Sequence, residues 1–348
     1  MGTRILTGVM LILLVGCAST SSTTEVSVDF AWSYSAGDYV RAKPAVSGDV
    51  VYVGADDNVL HALRASSGEP LWQYQTADNV TSSPVVLQDT VYFGSWDGSV
   101  YALDAGQGAP RWQFETGGWV SASPVIDQGI LYIGSHDGAL YALRAEDGER
   151  MWLYKTDGRI EGAVSLAEGR VFAGSADNYL YALDAASGAL QWRYRTEGDI
   201  VSAPAVEGGT VYVGSVDRNL YAIDALTGQL QWAFGAANAI ESSPVVTDGV
   251  AYVGANDGRL YALRARDGRL LWQYQAQDII RAMPVVWGGL LFVGSDDGYV
   301  YGLDRQTGTE VWKYRTAGAI AAGPTVSQGR LFVGSTDRQL HAFSLKTQ

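Results

Sequence analysis

Apolar and polar residues alternate along most of this chain in short runs, and Gly, Asp-Gly or Asn-containing turns cut one run from the next. The stretch from Leu140 to Trp152, LYALRAEDGERMW, is representative: Tyr141 and Leu143 fall on one face, Ala142 on the other, and Asp147-Gly148 breaks the run before it resumes at a tryptophan. A period of two over four to seven residues predicts half-buried β-strands, whereas apolar spacing near 3.6 would have predicted helices. Between residues 80 and 115 the pattern predicts four strands, roughly Val80–Val86, Thr90–Ser95, Ser99–Asp104 and Arg111–Glu115. Asp97-Gly98 supplies a tight hairpin, because Gly accepts positive φ and Asp bonds nearby backbone.

The same pattern recurs every 40 residues. Trp32, Trp72, Trp112, Trp152, Trp192, Trp232, Trp272 and Trp312 keep that spacing, as do the glycines from Gly54 to Gly334 and the aspartates from Asp57 to Asp337 that follow them by three residues. Residues 29–348 thus hold eight units of 40 without insertion or deletion. Four short strands per unit of about this length are the signature of a propeller blade. The predicted fold is all-β: an eight-bladed β-propeller of four-stranded antiparallel blades. The last unit ends at HAFSLKTQ without a tryptophan strand, and the missing strand stands at the other end of the chain as DFAWSY around Trp32. The N-terminal strand is therefore expected to complete the last blade, which removes two free edges.

The aspartates recur once per unit at a hairpin, too dispersed to converge on a calcium ion, and are read as turn caps. His61 and His341 stand in a column that is Tyr in the other six units, so both are read as structural. No catalytic residue, cofactor site or metal site is expected. The glycines end strands and do not open helices, so they make no phosphate loop.

Composition sharpens this picture in two places. The net charge of -13 argues against nucleic acid as a partner, since that binding needs Lys and Arg to replace counterions. The single cysteine, Cys17, allows no internal disulfide. It stands at the end of a short apolar run behind Arg4, in Leu14-Val15-Gly16-Cys17, which resembles the lipobox of bacterial lipoproteins. That resemblance implies a signal peptide over residues 1–16 and lipid attachment at Cys17. A Ser/Thr-rich tether follows over residues 17–28, then the propeller over 29–348. Ala18 and Ser19 after the cysteine imply sorting to the outer membrane, with the ring in the periplasm.

YALDAxxGxxxW, preceded by VYVGSxDG, resembles the tryptophan-docking repeat of the quinoprotein-like (PQQ-repeat) propellers, and the resemblance extends over all eight units. That class contains quinone-dependent dehydrogenases and non-enzymatic outer-membrane lipoproteins of the BamB type, which support assembly of β-barrel proteins. The dehydrogenases carry long insertions, a calcium site and a vicinal cysteine pair, none of which this sequence shows. The lipobox and the uninterrupted ring resemble the BamB type. The implied function is a non-enzymatic, lipid-anchored, monomeric scaffold whose partners are proteins, in outer-membrane assembly. The alternatives are a ligand-binding or sensor propeller of the envelope and, with less support, a quinone-dependent dehydrogenase.

Candidate contact residues are those that refuse to repeat. Of the 11 tryptophans, Trp96, Trp119 and Trp287 fall outside the period. Trp96 and His136 share a column, and Trp119 lies in the connecting loop between them, so the three predict an aromatic patch on one face of the second and third blades. Trp287 stands in a loop of the opposite face and is read as a second contact. A variable column nine residues after each periodic tryptophan contains Arg41, Glu161, Glu241 and Arg281, with Lys43 beside it. These are expected at the channel mouth, with Arg41, Lys43 and Arg281 together and the two glutamates across from them, in position for an acidic segment or a small anion.

Overall fold

In the computed structural model, which describes residues 26–347, the alternation is realised as thirty-two strands grouped into eight four-stranded antiparallel sheets. In blade two the strands are Val85–Leu87, Thr90–Gly94, Ser99–Asp104 and Pro110–Glu115, paired in that order, and the other blades repeat the scheme. Blade eight takes Thr325–Ser327, Arg330–Gly334 and Gln339–Thr347 from one end of the chain and Val26–Ser35 from the other. Phe30 pairs with Phe343 and Tyr34 with Leu340. The ring is closed by backbone hydrogen bonds, with the N-terminal strand completing the last blade. Signal peptide, Cys17 and most of the expected tether lie outside the described residues. Val26, Ser27 and Val28 do not belong to a tether but to this closing strand, opposite Thr347, Lys346 and Leu345.

The innermost strands are shorter than the alternation predicts. Val80–Val86 was the expectation, but pairing begins only at Val85. Pro84 has no N–H to give to a ladder, and the residues before it bond sideways: Val80 N to Ala55 O, Ser82 Oγ to Ala122 O, and Ser83 N to Ser123 Oγ. This segment ties each blade to its neighbours around the axis.

The blade seams explain the repeated columns. In seven seams the indole N–H of the tryptophan donates to a backbone carbonyl of the next blade at 2.9–3.2 Å, as Trp112 does to Ala145. The same ring lies against a turn glycine: a Cβ on Gly148, whose φ is +76°, would fall 2.7 Å from Trp112 Cε3. Trp312 has no such turn to meet and packs edge-on against Phe343 at 5.2 Å. The strand-end glycines are equally constrained, since a Cβ on Gly134 would lie 2.2 Å from Ile160 Cγ2.

Each aspartate of the repeat is spent on its own blade and the loop beside it. Asp137 accepts from Ala139 N, from Gly117 N and from the Tyr141 hydroxyl, at 2.6–2.7 Å. His61 and His341 replace the tyrosine in blades one and eight, where each bonds Asp57 or Asp337.

Candidate functional site

Antiparallel blades put their second-to-third-strand turns and their blade-to-blade loops at one end of the ring. The non-repeating aromatics meet there. Trp96, in the turn of blade two, and Trp119, in the loop to blade three, stack with centroids 4.7 Å apart. His136, in the turn of blade three, tilts against Trp119 at 5.7 Å. Backbone bonds set the three in place: Trp96 N donates to Asn79 O and His136 N to Trp119 O. The indole N–H of Trp96 donates to Thr81 Oγ1 at 2.7 Å, and His136 Nε2 bonds Ser121 Oγ at 2.8 Å. Burial pushes His136 below its ordinary value, so the imidazole is neutral at pH 7. Trp119 keeps 49% of its surface exposed while Trp96 and His136 are half-buried. The result is an uncharged aromatic stack, rigid at its base and open on top.

Those two polar contacts are instances of a rule that the variable columns conceal when read one at a time. In five of the eight units the residue nine after the periodic tryptophan bonds the residue fifteen further on. Arg41 pairs with Asp56 at 3.0 Å, Arg281 with Asp296, and Glu241 accepts from Asn256 Nδ2 at 2.9 Å. Glu161 faces Ala176 and pairs instead with Arg159. Burial pushes the Asp56 and Asp296 carboxyl groups above the usual range, and the guanidinium beside each offsets this only in part.

The expected polarised mouth is therefore corrected. Arg41, Lys43, Arg281 and Glu161 do line one axial cavity of about 510 Å³, but Glu241 is not among its lining residues. Arg41, Arg281 and both glutamates already have partners in the same blade or the adjoining loop. Lys43 differs. Among the described residues its ammonium makes no ion pair and no hydrogen bond, and burial pushes it below its ordinary value. The cavity it lines also holds Ser83, Ser123, Ala163, Ala203, Ser243 and Gly323, which are small and uncharged, beside Arg41, Arg281 and Glu161.

Trp287, expected as a contact, is half-buried and packs among Val285, Leu290, Val326 and Leu345 between blades seven and eight. It fills a seam and does not project. Among the described residues no group of three or more His, Cys, Asp and Glu is placed to hold a metal ion.

The sequence model of a family described as outer membrane protein assembly factor BamB matches residues 27–166, 96–204, 156–279 and 276–347. No curated protein sequence matches the chain. Among solved structures, BamB from Moraxella catarrhalis superposes with a TM-score of 0.80 at 23% identity, over 91% of this chain and 100% of that one. The computationally designed Ika8 protein gives a TM-score of 0.82 at 18% identity, over 91% and 99%. Quinohemoprotein alcohol dehydrogenase from Comamonas testosteroni gives 0.78 at 17% identity, over 91% and 76%. BamB, a designed protein and an alcohol dehydrogenase thus share this architecture, so function rests on what the blades present.

Proposed function

The chain belongs to the family of the outer membrane protein assembly factor BamB, and from that premise we propose that it is a non-enzymatic propeller scaffold that binds protein partners in the assembly of outer-membrane β-barrel proteins. It faces the periplasm and is held at the outer membrane through lipid on Cys17. The observation that carries the reading is the stack of Trp96, Trp119 and His136. Tryptophan is enriched among residues that dominate protein–protein binding energy, where a rigid apolar anchor enters a pocket on the partner. A ring closed through backbone bonds presents that anchor at little entropic cost on binding. The non-enzymatic reading rests on the family and on units that all keep one 40-residue length, with no insertion in any loop.

Crosslinking in the native envelope, followed by mass spectrometry of what is captured, tests the scaffold. Recovery of barrel-assembly components through Trp119-proximal crosslinks supports it; a full set of crosslinks with none of those components overturns it. An absorbance titration with quinone and calcium tests the non-enzymatic part, which specific binding with turnover would overturn.

One observation favours a second reading. Lys43, unpaired in the axial cavity, is placed to take a small anion, as in a ligand-binding propeller of the envelope. Calorimetric titration with simple mono- and dicarboxylates decides this, because loss of any heat in Lys43→Ala assigns the site.

A further inference from the structure

At the end of the ring opposite the tryptophan stack, the molecule fills one of its own grooves and leaves the sister groove open. Trp287 covers the seam between blades seven and eight, packed with Val285, Leu290, Val326 and Leu345. One hundred and sixty residues earlier, four repeat units away, the same columns hold Val125, Ile130, Leu166 and Ala185, and the tryptophan column holds Asp127. There the seam between blades three and four is a groove of about 710 Å³, whose walls include Val125, Ile126, Ile130, Tyr132, Leu166 and Arg170.

One exposure marks it as open. Ala65, Ala105, Ala145, Ala225 and Ala265 are all at or below 7%, whereas Ala185 in the same column is not buried. The groove also holds an unfinished polar group. Among the described residues Arg170 Nε is buried without a hydrogen-bond partner, as is Nε of Arg330 in the same column of blade eight, and Arg170 Nη1 donates to Glu168 O at 3.3 Å. Asp127, Glu168 and Asp184 also line the groove, so carboxylates outnumber the one guanidinium.

We propose that this groove is a docking site for an aromatic side chain that a partner protein presents between basic residues. Trp287 defines the shape and class of the occupant, because an indole closes the equivalent seam built from the same columns. Arg170 offers the face of its guanidinium to an aromatic ring, a contact favourable for either partner of the pair. Asp127, Glu168 and Asp184 set the charge of the flanks, since like charge at the lip would oppose docking and opposite charge steers it. The site lies on the other end of the ring from Trp96 and Trp119, and it stands or falls independently of the scaffold reading.

The probe is acetyl-Lys-Trp-Lys-amide carrying 5-fluorotryptophan, followed by fluorine NMR against the full propeller, with acetyl-Glu-Trp-Glu-amide as its charge-reversed counterpart. The basic peptide should bind and the acidic one bind about fivefold more weakly or not at all. Asp127→Trp, which restores the indole of the Trp287 column, should weaken the basic peptide by about tenfold or more by filling the groove from within. Asp127→Lys with Glu168→Lys, both exposed positions, should invert the preference between the two peptides and does not depend on how the first variant packs. Trp119→Ala should leave every value unchanged. Absence of binding to the wild-type ring, undiminished binding to Asp127→Trp, or a charge preference unmoved by the double lysine variant would each overturn the proposal.

Discussion

Trp119 lies flat on Trp96, with 3° between the ring planes, and turns its outer face to solvent. The pair is supported from below, because the Trp96 indole is pinned to Thr81. Stacked aromatic pairs contribute about 0.5–1.5 kcal/mol beyond their buried area. Trp119 also buries about half its surface, so Trp119→Ala should cost about 1–3 kcal/mol in guanidinium unfolding while abolishing capture of assembly partners. Trp96→Ala should cost more, since it also leaves Thr81 without its donor. A loss above about 3 kcal/mol for Trp119→Ala would place the ring in the core and remove it from the interface.

The seams make a sharper prediction about backbone. Gly148 combines a φ of +76° with direct contact to the Trp112 ring. An alanine there is strained by its conformation and collides with a ring that its own N–H···O bond holds in place. Gly148→Ala should lower stability by about 2–4 kcal/mol, read from the denaturant midpoint. Gly129→Ala is the control, since a Cβ there meets nothing within 4 Å and only the φ strain remains.

These seams are also why so much of the fold was legible. Trp112, Gly148 and Asp137 each answer a requirement that recurs at every blade, so the requirement is written into the sequence at a fixed interval. What the alternation could not show is lateral. Val80–Pro84 looks like strand because its residues alternate, yet Pro84 and the sideways bonds of Ser82 and Ser83 take it out of the ladder. The rung pairing of Arg41 with Asp56 and Arg281 with Asp296 was present in the sequence as joint variation fifteen residues apart. It is invisible when each column is read alone, and so the mouth was expected to be freely charged. Trp96, Trp119 and His136 were legible because they break the period. The open seam between blades three and four was not, because it is defined by a tryptophan that Asp127 replaces.

Acid should loosen the ring at its turn aspartates. Burial works against ionisation of Asp337 and Asp57, but the hydrogen bond and charge of His341 or His61 and two backbone N–H groups outweigh it, and both carboxyl groups are held below the usual range. The same direction holds for Asp137, through Tyr141 and the N–H groups of Ala139 and Gly117. A carboxyl whose folded value is depressed gives stability that is present above its unfolded value of about 3.9 and is lost as pH falls through the folded value. These three groups should therefore add no pH dependence between about pH 7 and pH 5 and an increasing loss below about pH 4. Asp137→Asn should flatten the acid limb while lowering stability at neutral pH. An unchanged limb in that variant would mean other carboxylates dominate it.

Closure can be tested by removing the strand that provides it. Val26–Ser35 pairs along Gln339–Thr347 and carries Trp32, whose indole bonds Ala65 across the seam to blade one. A chain starting at Ala36 leaves Gln339–Thr347 as an unpaired edge and uncovers Gly68. Such an edge is a template for pairing with a second chain. The truncated protein should melt well below the full ring and sediment partly as dimers or larger species, while the full ring stays monomeric. Monomeric behaviour with an unchanged melting temperature would show that the closing strand is dispensable.

Lys43 is the position where stability and function are expected to diverge. It lines the axial cavity with small residues and with Arg41, Arg281 and Glu161; its ammonium makes no ion pair among the described residues, and burial depresses its pKa. For a base, a folded value below the unfolded one means the charged form is the costly one in the folded state. That cost is present at neutral pH and is relieved as pH rises through the folded value toward the unfolded value near about 10.4. Lys43→Met keeps the length of the side chain and removes the charge. Because Lys43 is only half-buried, the gain is modest: unfolding free energy at pH 7 should rise by a few tenths to about 1 kcal/mol, and the difference from wild type should shrink as pH rises toward about 10.4 and vanish above it. Calorimetry on the same variant should show loss of any carboxylate binding the wild type displays. A destabilised Lys43→Met would instead mean that the ammonium is satisfied within the cavity, and the axial reading would fall with it.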